Sequence, residues 1–136
     1  MTLAARALAQ LVTWPDLSEA EPSCGNGRAL RSAHGEIAHF HSDRDVDLHL
    51  TVKTIRKFED HLAASRGVRM LPGSQWVTVR LENPTDIDLL MTLVSLALQV
   101  HPAWPAPGDA LTPECNDHQS APRSRDNFRH FGISRD

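Results

Sequence analysis

The chain has 136 residues, enough for one domain and hardly for two. Its apolar fraction is 40% and its charged fraction 23%, both ordinary for a globular fold. A formal net charge of −3, from 14 basic and 17 acidic side chains, argues against a domain that grips a nucleic-acid backbone.

No stretch approaches the roughly 18 uninterrupted apolar residues of a membrane span, so no membrane partner is expected. The opening MTLAARALAQLVTW carries one early Arg and no cleavage signal, and it does not read as a signal peptide. Cys24 and Cys115 lie far apart and form no disulfide framework, which makes a reduced, cytoplasmic setting the expectation.

In chain order, residues 2–13 place Leu3, Ala7, Leu8, Leu11 and Val12 on one helical face, with Thr2 as N-cap and Trp14-Pro15 as the stop. Residues 15–27 are turn-rich, and Gly25-Asn26-Gly27 leads into a strand near 28–33. Two alternating runs, 36–41 and 46–50, flank Ser42-Asp43-Arg44-Asp45 as a hairpin. A helix follows over 51–66, with Val52, Ile55, Phe58 and Leu62 as its stripe and Gly67 just past its end. Residues 75–82 alternate as another strand. The last helix begins at Asn83-Pro84-Thr85-Asp86 and runs to about Val100. The order α-β-β-β-α-β-α predicts an α+β fold, with a mainly antiparallel sheet of about four strands and helices on one face.

Five of the nine prolines fall within residues 102–136, which show no apolar period. The expected organisation is a single α+β domain over 1–101 and a Pro-rich C-terminal tail over 102–136, either disordered or draped over the domain. The last helix carries two apolar stripes, one of Ile87, Leu90, Met91, Val94 and Leu98, the other of Leu89, Leu93, Leu96 and Val100. The sheet buries one. The other calls for the N-terminal helix, the tail or a second subunit, so a homodimer through this helix is among the expectations.

The hairpin loop decides which residues share a sheet face. A four-residue loop pairs His41 with Val46 and mixes polar with apolar on both faces. A five-residue loop pairs His41 with Asp47, Phe40 with Leu48, His39 with His49 and Ala38 with Leu50. The second sorts Ala38, Phe40, Leu48 and Leu50 under the helices, and it sends His39, His41, Asp47 and His49 to a wet opposite side. The strand at 75–82 adds Trp76, Thr78 and Arg80 to that open face.

Two chemistries suit the set. His39 and His41, with His49 on the neighbouring strand, have the spacing of a transition-metal site. Without metal, His39, His41 and His49 with Asp47 provide acid–base catalysis near neutral pH, while Arg80 stabilises developing negative charge and Trp76 stacks on a ring. Cys115-x-x-His118 has no second pair to complete a zinc knuckle, and Cys24 reads as incidental.

The stretches Glu36-Ile37-Ala38-His39-Phe40-His41, Asp47-Leu48-His49, Leu71-Pro72 and Ser74-Gln75-Trp76-Val77-Thr78-Val79, with the helix after Pro84-Thr85-Asp86, resemble a known group. It is the set of small actinobacterial proteins labelled "luciferase family", named from the fungal luciferase. The resemblance covers roughly residues 25–100. Ala38 stands where that family usually has Gly, Gln75 replaces the Gly before Trp76, and Arg69 takes the place of a histidine. The resemblance implies a small-molecule enzyme working without metal or organic cofactor, by oxygenation, decarboxylation or cyclisation of an enolisable aromatic or polyketide-like substrate. On that reading His39, His41, Asp47 and His49 are catalytic, and Trp76, Arg80 and Arg69 bind substrate. The alternatives are a metal-dependent protein using His39, His41 and His49, and a non-catalytic partner protein docking through Leu93 and Leu96.

Overall fold

The structure is a computed structural model that describes residues 1–25, 27–105 and 115–116. The elements are α1 (Leu3–Leu11), β1 (Ser18–Ala20), β2 (Arg28–Ser32), β3 (Gly35–Phe40), β4 (Asp45–His49), α2 (Val52–Lys57), α3 (Glu59–Ala64), β5 (Val68–Met70), β6 (Trp76–Arg80) and α4 (Pro84–Val100). A short 3-10 turn, His101–Ala103, follows α4. The strands form one six-stranded antiparallel sheet in the order β1-β2-β3-β4-β6-β5. No helix among the described residues is long and apolar enough to cross a membrane.

The α+β class holds, and the count of about four strands is corrected to six. The added strands, β1 and β5, have three residues each and flank the sheet. Three residues cannot display a period of two, so sequence alternation does not reveal them. The helix expected over 51–66 is broken at Phe58 (φ −109°, ψ 18°) into α2 and α3.

Both helix starts read from the sequence have their caps. Thr2 Oγ1 accepts from Ala5 N at 3.0 Å, and Asp86 Oδ2 accepts from Asn83 N at 2.9 Å. On the apolar face of the sheet, Leu30, Ala38, Phe40, Val46, Leu48, Val77 and Val79 are buried with Leu90, Val94 and Ala97 of α4 and Ala7 and Leu11 of α1. The second stripe of α4 is largely covered within the chain, with Leu93 buried and Leu89 and Leu96 partly so.

The hairpin register differs from the expected one. The observed pairs are Ala38 with Leu48, His39 with Asp47 and Phe40 with Val46, and His41 N donates to Asp45 O at 3.3 Å. The connection is therefore residues 42–44, not 42–46. Ser42 Oγ closes it, accepting from Arg44 N at 3.2 Å and Asp45 N at 3.0 Å. The register moved by two residues, one full strand period, so the division of side chains between the faces survives.

Two backbone features shape the face opposite the helices. Gly27 (φ +89°) passes so close to β3 that a Cβ there would lie 2.1 Å from Phe40 O, so only glycine fits. The β2–β3 register jumps between Leu30/Ala38 and Arg31/Glu36, a β-bulge at Ile37. The extra residue lets Ile37 and Ala38 both join the core while Glu36 reaches the His39 side.

Candidate functional site

The ladder lines up Arg69, Thr78, Asp47, His39 and Ala29 as consecutive partners across β5, β6, β4, β3 and β2. Trp76 faces His49 in the row on one side, and Arg80 faces Asp45 in the row on the other. His41, just beyond β3, brings Nε2 to 3.4 Å from Asp47 Oδ2, and its ring meets that of His39 edge-on at 5.5 Å. His39, His41 and Asp47 therefore come together, as the face assignment required.

The expectation that this face is open to water is corrected. His39 is 0% exposed, and Asp47, His49 and Trp76 are 1% exposed each. The cover comes from segments without readable periodicity. Cys24, in the loop before β2, lies against His39, and Trp104 stands over His49 with ring centroids 5.0 Å apart. Asn116 ties the far segment to the sheet: its Nδ2 donates to Trp76 O (3.0 Å) and Thr78 Oγ1 (3.2 Å), and its Oδ1 accepts from Ser74 Oγ (2.6 Å). These bonds satisfy polar atoms that burial would otherwise leave costly.

Access remains on one side. A cavity of about 350 Å³ opens onto His41, Asp47, Thr78, Asn116, Asp45 and Arg69. Asp47 Oδ1 accepts a 2.5 Å bond from Thr78 Oγ1, which leaves Oδ2 toward His41. Arg69 is well exposed, 4.0 Å from Asp45 Oδ1, so its guanidinium can turn to an anionic ligand. Arg80 is held by Asp45 Oδ1 at 3.4 Å and Glu82 Oε2 at 3.2 Å, and it does not line the cavity.

His49 belongs to a different network. Its Nε2 donates to Gln75 Oε1 at 2.8 Å, its Nδ1 lies 2.9 Å from His101 Nε2, and Trp104 Nε1 donates to the same Gln75 Oε1 at 3.2 Å. Burial holds the His101 imidazole below its ordinary range, a hydrogen bond to the His49 carbonyl opposes this, and His34 adds to the lowering. Trp76, buried between His39 and His49, separates this network from the Asp47 side.

Sequence reasoning missed the partners of His39 and His41. Cys24 Sγ lies 3.6 Å from His39 Nδ1, and Cys115 Sγ lies 3.3 Å from His41 Nε2. One ligand atom from each of these four residues falls within 4.8 Å of all the others, a group that could hold a metal ion. Cys24, read from the sequence as incidental, lies in this group; His118 lies outside the described residues. Glu36 Oε1 sits 2.7 Å from His39 Nε2, and burial lowers the His39 pKa against that bond. No spacing rule links positions 24 and 115. Glu36, by contrast, lies three residues before His39 in the same strand, a position the sequence makes visible.

Residues 34–97 match the family model described as Luciferase domain. The luciferase-domain match covers both motifs on which the resemblance was read, from Glu36 to His41 and from Leu71 to Val79, and it includes His39, His41, Asp47, Arg69, Trp76 and Thr78. Cys24, His101, Trp104, Cys115 and Asn116 lie outside the luciferase-domain segment. No curated protein and no solved structure matches the chain.

Proposed function

We propose that the chain is a small-molecule enzyme of luciferase-domain type that removes a proton from an enolisable substrate held over Asp47. The observation that carries this reading is the cavity of about 350 Å³ lined by the buried Asp47 and the exposed Arg69. A volume of that size suits one small aromatic or pyrone-like molecule. Asp47, held at Oδ1 by Thr78, presents Oδ2 as the base. Arg69 stabilises the enolate oxygen from the rim. That enolate is common to cofactor-independent oxygenation and cyclisation, and decarboxylation of a β-keto acid generates the same species. His39 and His49 sit behind this unit: the first belongs with Cys24 and Glu36, the second with Gln75 and His101.

The test is solvent deuterium exchange into a panel of hydroxylated 2-pyrones and β-dicarbonyl compounds, followed by NMR. The native chain accelerates exchange for at least one member, and Asp47→Asn abolishes the acceleration. A panel in which no compound exchanges faster with the protein than without it, or equal rates for the native chain and Asp47→Asn, contradicts the reading.

A further inference from the structure

We propose that Cys24, His39, His41 and Cys115 form a tetrahedral Cys2His2 zinc site that clamps the loop before β2 and the pair Cys115 and Asn116 onto β3. The inference is independent of the enzyme reading. A zinc tetrahedron with Zn–S of about 2.3 Å and Zn–N of about 2.0 Å has S···N edges of about 3.5 Å. Two of the four S···N edges are 3.6 Å, from Cys24 to His39 Nδ1, and 3.3 Å, from Cys115 to His41 Nε2. One ligand atom from each of the four residues lies within 4.8 Å of the others, so small side-chain adjustments close the tetrahedron.

The surroundings match what a ligating histidine needs. A metal-bound imidazole usually offers its other nitrogen to a carboxylate, which fixes the tautomer and turns the free nitrogen to the metal. Glu36 does this for His39, with Oε1 2.7 Å from Nε2, leaving Nδ1 toward Cys24. The same carboxylate accepts from Ser23 N at 3.0 Å and Ser23 Oγ at 2.8 Å, so it also holds the residue before Cys24. One carboxylate thus positions two ligands from separate elements.

Charge favours zinc as well. Two thiolates and two neutral imidazoles offset a divalent cation, so the loaded site adds no net charge to a buried region. On binding, the ion displaces the thiol protons to solvent, and no redox step is involved. Four protein ligands close the shell, which makes the role structural. Asn116, adjacent to Cys115, lines the cavity over Asp47, so the clamp also orders a wall of that cavity. With His41 Nε2 on the metal, Asp47 keeps its bond from Thr78 and faces the cavity as base.

The test uses the full chain, purified under reducing conditions. Elemental analysis should find about one zinc per chain, and cobalt(II) substitution should give the visible bands of a tetrahedral thiolate site. Cys24→Ser and Cys115→Ser should each lose the sulfur-to-cobalt charge-transfer intensity in part, and Glu36→Gln should weaken zinc binding about 10- to 100-fold. Asp47→Asn should retain zinc, which separates failure of this site from failure of the enzyme reading. If a cysteine variant does not fold, cobalt titration of the native chain decides alone. A native chain that takes up neither metal, a cobalt spectrum without thiolate bands, or a Cys24–Cys115 disulfide persisting under reductant overturns the proposal.

Discussion

The indole of Trp76 stands between the imidazoles of His39 and His49, with ring centroids 4.7 Å from the first and 5.1 Å from the second. One side chain thereby divides the histidines of the sheet face into two sets with different partners. Toward His39 lie Cys24, Glu36, His41 and Asp47; toward His49 lie Gln75, His101 and Trp104.

Truncating that wedge should disturb both sets together. Trp76 is fully buried, so Trp76→Ala should cost about 3–5 kcal/mol in stability, measured by urea unfolding. The imidazole NMR signals of His39 and His49 should both shift in any fraction that stays folded. A loss below about 1 kcal/mol, or movement of one histidine alone, would show that Trp76 does not separate them as described.

Acid should destabilise the fold. His101 has an ordinary pKa near 6.5, lowered in the folded chain chiefly by burial. The unfolded chain therefore binds a proton on this ring at a pH where the folded chain does not. Stability contributed by the neutral ring is complete above about pH 6.5 and is lost as the pH falls below it. Urea midpoints compared at about pH 7.5 and about pH 5.5 should show the decline, and His101→Gln should flatten it. An unchanged slope in that variant assigns the dependence to other groups.

The hairpin shows how far the sequence can be read. Alternation alone put His39, His41, Asp47 and His49 on one face. It could do so despite a wrong loop length, because a shift of two residues preserves strand parity. What alternation could not supply was the cover. Cys24 precedes a glycine-rich turn, Cys115 and Asn116 sit in an aperiodic segment, and their contacts with β3 and β6 are long-range. The split of the histidines was also hidden, since a shared face does not reveal that a tryptophan from β6 rises between its members. The short strands β1 and β5 escaped because three residues have no measurable period, and with β5 went the placement of Arg69 beside Thr78.

The Thr78–Asp47 bond gives a catalytic prediction. Thr78→Val keeps the shape of the side chain and removes the 2.5 Å donor to Asp47 Oδ1. The carboxylate loses its anchor, so proton exchange into a pyrone substrate should slow about 10-fold or more, with a stability loss of about 1–3 kcal/mol. Exchange at the native rate would remove Thr78 from the positioning of Asp47.

Thr51 holds a backbone conformation that β-branched residues avoid, with φ 77° and ψ 155°, while its side chain accepts from Thr54 N to cap α2. Thr51→Gly should relieve strain of about 1–3 kcal/mol at the expense of a few tenths for the cap. Thr51→Ala keeps the strain and loses the cap. The glycine variant should therefore exceed the alanine variant in thermal stability, and the reverse order would contradict the strain.

The most direct test of the enzyme reading is where a small molecule sits. A second cavity, of about 460 Å³, lies beside Thr51, Lys53, Lys57, Phe58 and Trp104, away from Asp47, so the two sites are separable. Titrating a hydroxylated 2-pyrone into isotope-labelled protein should shift the amide signals of His41, Arg69, Met70 and Thr78 in a saturable way, leaving Lys53 to Phe58 in place. Shifts confined to the second cavity would contradict the assignment of catalysis to Asp47.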